Sequence, residues 1–141
     1  MVSKLVVIRH GITEGNEKRW FYGKTDLPLL ERGRNTLLEY KRAGVYPDIP
    51  EDAQCVVSGL VRTKETMELL YEKDEYKEID KLQEMDFGDF ECRSFDELKE
   101  DVEFQRWMYD ERGNIRPPGG EARNDFAARV KEGLQELIGL H

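Results

Sequence analysis

The sequence predicts an α/β domain, and three stretches carry that prediction. Residues 5–8 (Leu5, Val6, Val7, Ile8) form a short, unbroken apolar run suited to a strand buried on both faces. Residues 55–58 (Cys55, Val56, Val57, Ser58) read as a second such strand, and residues 122–138 repeat their apolar side chains at helical spacing. The first run stops abruptly at Arg9, His10 and Gly11, and the second at Gly59. In open α/β sheets, ligands bind at this carboxyl edge of the strands.

Length and composition set the outer limits. A chain of 141 residues holds one domain. It is 37% charged and 38% hydrophobic, yet six Phe, six Tyr and two Trp supply the means to build a core. The formal net charge of −8 argues against a nucleic acid or an anionic membrane as partner, so any phosphate pocket is a local positive spot on an acidic body. The longest aliphatic run is far too short to cross a bilayer, and no signal-peptide pattern precedes it. Two cysteines, Cys55 and Cys92, make no disulfide framework, so a reducing cytoplasm is the expected compartment.

Taken in order, the elements follow from local chemistry. Successive strand side chains point to opposite faces, so Arg9 and His10 share a pocket only if the chain bends, and Gly11 permits a bend. Residues 20–29 read as a loop against the site, punctuated by Gly23 and Pro28. A helix is predicted over about 31–43, with Leu37, Leu38 and Tyr40 on its inner side and Gly44 as its stop. Pro47 and Pro50 make residues 45–52 a linker. After the strand at 55–58 a second helix begins, with Ser58 as its natural cap and Arg62 in its first turn. Positive charge is unfavourable at that end of a helix, so an anion should compensate.

Residues 79–83 suggest a weak strand leading into the acidic run 84–91. Met85, Phe87 and Phe90 interleave its acids, so part of the segment should pack inward and carry a carboxylate with it. A carboxyl group beside apolar rings holds its proton nearer neutrality, as a general acid must. Ser94 and Glu97 form a capping box that opens a helix. Phe104, Trp107, Met108 and Tyr109 are together too aromatic to be wholly exposed. A rigid turn at residues 116–121 then precedes the helix over 122–138, with Phe126, Val130, Leu134, Leu137 and Ile138 inward.

The run R-H-G-x-T-x-x-N from Arg9 to Asn16 resembles the opening signature of the histidine phosphatase superfamily, the phosphoglycerate mutase-like enzymes. The likeness continues in G-x-T-D-x-P-L from Gly23, where Leu30 stands in place of the usual threonine and Gly33 fits the usual glycine. It continues again in S-x-L-x-R, which ends at Arg62. Glu84 opens a stretch similar to the E-x-D-F-G-x-W/F-E of the phosphatase branch, where mutases typically carry Glu-Arg-His-Tyr-Gly. Cys92 stands where a glycine is common. The order Trp107, Asp110, P-P-G-G-E is similar to that of the α-ribazole phosphatases, although neighbouring phosphatases share P-G-G-E.

The resemblance implies a three-layer sandwich with a mostly parallel central sheet flanked by helices. It implies that His10 is the nucleophile, that Arg9 and Arg62 hold the phosphoryl oxygens, and that Glu84 is the proton donor. Thr13 and Asn16 would add hydrogen bonds to the phosphate, and Tyr22, Gly23 and Trp107 would touch the rest of a small phosphorylated substrate. For Trp107 a purely structural place in the core is an equal alternative. No cofactor or metal is implied, and the two histidines, His10 and His141, have no metal-ligand spacing. A rival reading, the Cys-x5-Arg loop of cysteine-dependent phosphatases, fails because six residues separate Cys55 from Arg62. Members of the superfamily also carry a second catalytic histidine, in a His-Gly after a further apolar strand, and His141 does not match it. The expectation is therefore one domain over 1–141, with a helical insert at about 92–118, that stops before the family's final strand or strands. Such a chain would expose an apolar sheet edge open to homodimer pairing, and would bind phosphate while hydrolysing esters poorly.

Overall fold

The computed structural model describes residues 4–140. In chain order these form α1 (Glu14–Glu17), β1 (Trp20–Phe21), α2 (Glu31–Arg42), β2 (Val56–Val57), α3 (Val61–Tyr71), β3 (Lys77–Glu78), β4 (Arg93–Ser94), α4 (Phe95–Leu98), α5 (Val102–Met108) and α6 (Arg123–Ile138). Single 3₁₀ turns lie at Asp80–Leu82 and Gly88–Phe90.

The mixed α/β character is as the sequence predicts, with a small sheet content. β2 and β3 pair in parallel, Val56 opposite Lys77 and Val57 opposite Glu78, with α3 as the connection between them. β1 and β4 pair antiparallel, Trp20 opposite Ser94 and Phe21 opposite Arg93. Residues 5–8 depart from the expectation. They belong to no strand of the described residues, and Leu5 and Val7 are 53% and 83% exposed. A short apolar run is buried on both faces only where other strands and helices cover it; here Val6 and Ile8 are half-buried, Ile8 against Leu29, Leu37 and Leu70. The weak strand expected at 79–83 is instead the 3₁₀ turn that follows buried Ile79.

The helices follow their signals more closely. α2 spans nearly the predicted range and ends at Ala43, with Gly44 at φ +70° just beyond. Leu37 is buried while Tyr40 is 49% exposed, because the helix touches the core along a narrow stripe. The Ser94–Glu97 capping box forms as predicted. Ser58 does not cap α3. The cap position is Leu60, and the Ser58 hydroxyl lies 3.3 Å from that of Thr63. On α6, Gly133 is the buried position and faces Leu82, whereas Leu134 and Ile138 point outward at 39% and 56% exposure.

Two apolar clusters organise the interior. Leu29, Leu37 and Leu70 tie the loop before α2 to α2 and α3. Met85, Phe90, Leu98, Phe104 and Trp107 form the second, on which Phe21, Phe87 and Phe126 pack. Its rings meet mostly edge to face, with centroids such as Phe21–Phe104 and Phe90–Phe104 5.3 Å apart. The aromatic residues at 104 and 107 are thus core, while Tyr109 is exposed.

Cys92 adopts φ +58°, the left-handed conformation, between Phe21, whose carbonyl accepts its N–H, and Thr25, whose hydroxyl lies 3.6 Å from its sulfur. This accounts for the glycine common at that position, since the backbone needs what glycine gives freely, while nothing in the structure explains the cysteine. Left-handed backbone costs an L-residue roughly 1–2 kcal/mol, and glycine's extra unfolded-state entropy returns part of that. Cys92→Gly is therefore expected to stabilise the protein by about 0.5–1 kcal/mol in chemical denaturation, and Cys92→Val to destabilise it by about 1 kcal/mol or more.

Candidate active site

Arg9, His10, Asn16, Trp20, Phe21, Tyr22, Arg62, Glu84 and Phe87 line one open cavity of about 210 Å³. The sequence expectation that Arg62 from the start of α3 meets His10 at one place is thus met. The bridge between them is Thr66, one turn into α3. Its hydroxyl accepts the Gly11 N–H at 3.0 Å and donates to the Arg62 carbonyl at 2.7 Å. Gly11 is not in the left-handed region. Its smallness serves packing instead, since a Cβ there would come within 2.7 Å of Leu37 Cδ1.

The His10 imidazole is half-buried, and its Nδ1 lies 2.7 Å from the Gly11 carbonyl. A carbonyl only accepts, so Nδ1 carries the proton in that bond, and the neutral ring keeps its lone pair on Nε2. Burial lowers the pKa of His10 from its ordinary value, the nearby Arg62 and Arg9 charges lower it further, and the Gly11 carbonyl and Glu84 act in the opposite sense.

Arg62 is 2% exposed. One Nη donates to the Gly23 carbonyl at 2.8 Å and the other to the Thr25 carbonyl at 3.0 Å, while the guanidinium carbon stands 4.9 Å from the Tyr22 ring centre. Burial lowers its pKa, opposed by Tyr22, Asp26, Glu84 and Glu91, and an arginine stays charged regardless. The anion expected near this helix start is Asp26, whose Oδ1 accepts the first N–H of α3, that of Val61, at 2.8 Å.

The remaining expected site residues divide. Arg9 and Asn16 line the cavity, Arg9 being exposed. Thr13 does not line it: it is fully buried, caps α1, and shares its hydroxyl with Asn16 Oδ1 at 3.0 Å and the Tyr22 hydroxyl at 2.6 Å. A T-x-x-N cap was legible there and competes directly with a phosphate role. Tyr22 lines the cavity. Gly23 acts through its backbone: a Cβ would stand 1.8 Å from the Met85 carbonyl and 3.0 Å from Glu84 Cγ. Trp107 stands behind the cavity, with its ring against Phe21 and Phe87, which do line it.

Glu84 lines the cavity, with Oε1 accepting the Met85 N–H at 2.8 Å. It is exposed, so the apolar burial anticipated for it is not found. The carboxylate carried inward by Met85, Phe87 and Phe90 is Glu91. Its oxygens accept the N–H groups of Gly23, Lys24 and Phe87 and the Thr25 hydroxyl, at 2.8 to 3.2 Å. Glu91 and Arg62 therefore grip one loop, residues 23–25, through its amides and its carbonyls respectively. Among the described residues no group of three His, Cys, Asp or Glu side chains is placed to hold a metal ion, and no helix is long and apolar enough to cross a membrane.

Comparison with known proteins adds a family to this geometry. The family model of the histidine phosphatase superfamily (branch 1) matches residues 5–141. The 2,3-bisphosphoglycerate-dependent phosphoglycerate mutase of Methylobacterium radiotolerans is 35% identical over an alignment covering 92% of this chain and 64% of its own length. The chain thus spans less than two thirds of that relative. A solved structure from Thermus thermophilus superposes with a TM-score of 0.72 at 30% identity, covering 91% of this chain and 69% of that one. The α-ribazole phosphatase of Shigella flexneri superposes with a TM-score of 0.79 at 28% identity, covering 94% and 66%.

Two expected outcomes check the geometry. In an NMR titration His10 changes charge below 6.5, its ordinary value, so the ring stays unprotonated further into acid than a free imidazole does. His10→Ala assigns the signal, since only His141 competes. Gly23→Ala, which drives a methyl into the Met85 carbonyl, is expected to lower stability by about 2–3 kcal/mol in denaturant unfolding.

Proposed function

The chain belongs to the histidine phosphatase superfamily, and from that premise we propose that it transfers the phosphoryl group of a small phosphomonoester to His10 and then to water. The observation that carries this reading is the His10 imidazole, bound through Nδ1 to Gly11 and sharing its cavity with Arg9 and Arg62. Nε2 attacks phosphorus in line as the P–O bond to the alcohol breaks, and the alcohol oxygen takes a proton from Glu84. Arg9 and Arg62 offset the charge spread over the non-bridging oxygens, and Asn16 can donate through Nδ2. Water, deprotonated by the same Glu84, then attacks the phosphohistidine; Nε2 leaves as a neutral ring and inorganic phosphate departs.

For the substrate we propose α-ribazole 5'-phosphate, which would place the enzyme in cobalamin assembly. Trp20, Phe21 and Phe87 give the cavity flat apolar walls suited to a planar base. The Glu-Met-Asp-Phe-Gly stretch and the likeness to the Shigella enzyme support the same choice. The relationship to the Methylobacterium mutase favours a second reading, phosphoglycerate as substrate. Against it, phosphoglycerate adds a carboxylate to its phosphate, and among the described residues the cavity is lined by two cations, Arg9 and Arg62.

Labelling tests the chemistry and substrate comparison tests the specificity. Incubation with a phosphodonor should leave acid-labile, alkali-stable label on the protein, absent in His10→Ala. Arg62→Ala should slow labelling about a hundredfold or more, the usual loss for one transition-state donor. Alcohol release from α-ribazole 5'-phosphate should exceed that from 3-phosphoglycerate and from a sugar phosphate by about tenfold or more. The reverse order supports the mutase reading, and no label on any donor would leave a phosphate-binding protein without turnover.

A further inference from the structure

Glu84 is an exposed residue on a stretch with no strand ladder, yet its reading as proton donor demands a fixed position. Its backbone is held from outside the cavity by α6. Arg129 Nη1 donates to the carbonyls of Lys81 at 2.9 Å and Gln83 at 3.0 Å, and Nη2 donates to the Glu84 carbonyl at 3.1 Å. The opposite edge of the same guanidinium is occupied by Glu121, with Nε to Oε1 at 3.0 Å and Nη2 to Oε1 at 2.7 Å. The Glu121 N–H in turn donates to the Asp86 carbonyl at 3.0 Å. Four carbonyls between residues 81 and 86 are thus gathered by one arginine and its carboxylate partner.

Resting on the proton-donor reading of Glu84, we infer that Arg129, oriented by Glu121, is the positioning residue that sets Glu84 at the cavity. The carbonyls of Lys81, Gln83 and Glu84 converge on one point beside the 3₁₀ turn Asp80–Leu82, and a planar fork of donors satisfies them together. Glu121 neutralises the guanidinium and fixes its plane through Nε and Nη2, so that Nη1 and the other N–H of Nη2 face the backbone. On the other side Gly23 lets the Glu84 stem and the Met85 carbonyl approach the loop that holds Arg62. The segment is therefore pinched between Gly23 and Arg129, and the Glu84 carboxylate is set by the pinch. Its one hydrogen bond among the described residues, to the Met85 N–H, moves with it.

A merely structural Arg129 would affect all substrates alike, whereas a displaced proton donor harms only leaving groups that need a proton. Single-turnover alcohol release is measured on the 141-residue chain with p-nitrobenzyl phosphate, whose alcohol must be protonated, and p-nitrophenyl phosphate, whose phenolate leaves unaided. Arg129→Lys, with Glu121→Gln as the milder variant, should slow the benzyl ester about 10- to 100-fold and the aryl ester less than about threefold. Glu84→Gln should show the same selectivity. Equal slowing of both esters, or none, in the Arg129 and Glu121 variants while Glu84→Gln discriminates overturns the inference alone; no discrimination in Glu84→Gln overturns the reading beneath it. Amide hydrogen exchange supplies a readout free of turnover. Met85 should exchange more than about tenfold faster in Arg129→Lys while Phe104 is unchanged, and an unchanged Met85 rate overturns the inference.

Discussion

The structure depends on a buried positive charge that is not given a carboxylate partner. Arg62 is almost wholly removed from water, yet among the described residues it makes no ion pair: its bonds run to two backbone carbonyls, and its flat face rests on Tyr22. Dipoles and a ring quadrupole lower the cost of desolvating the guanidinium without cancelling its charge. Asp26, Glu84 and Glu91 act on it through space. What remains is a fixed, under-neutralised cation at the wall of an open cavity, the charge that the proposed phosphoryl chemistry would use. Gly23, Thr25 and Tyr22 keep that cation where it is.

The loop of residues 23–25 is the clearest case. Its carbonyls face Arg62 and its amides face Glu91, so the loop lies between a cation and an anion that never meet directly. Alternating the two kinds of backbone group between opposite charges fixes the loop without side-chain packing of its own. The acidic run 84–91 is divided the same way. One carboxylate, Glu91, is spent on structure with four donors, and another, Glu84, is left at the cavity with one. Three carboxylates, Glu84, Glu91 and Glu121, thereby have three separate placements.

That division marks the limit of what could be read from residues alone. The placing of Arg62 in a first helical turn, the stop of α2 at Gly44 and the Ser94 capping box were legible, because each depends on side chains within four residues. The acidic run was legible as a segment that turns one carboxylate inward, but not as to which one, since the donors that select Glu91 come from residues about 67 positions away. Thr13 was misassigned for a related reason: its hydroxyl suits a phosphate or a helix cap equally, and Tyr22 and Asn16 consume it locally. Residues 5–8 were misjudged because burial of a strand is a property of its neighbours, which the strand's own composition does not contain.

The same segment shows what holds the His10 imidazole in place. With no ladder along residues 5–8, the sheet does not fix His10 from its N-terminal side, and Arg9 stands exposed beside it. The fixed point is the Gly11 N–H on Thr66, whose hydroxyl passes the bond on to the Arg62 carbonyl. Helix α3 therefore sets both the buried guanidinium and the backbone next to the imidazole, through two residues one turn apart. A rigid helical turn spaces them more accurately than two loops could, since hydrogen bonds within α3 fix the separation. Arg9 is free of that constraint, so the cavity is lined by one guanidinium set by the fold and one exposed to solvent.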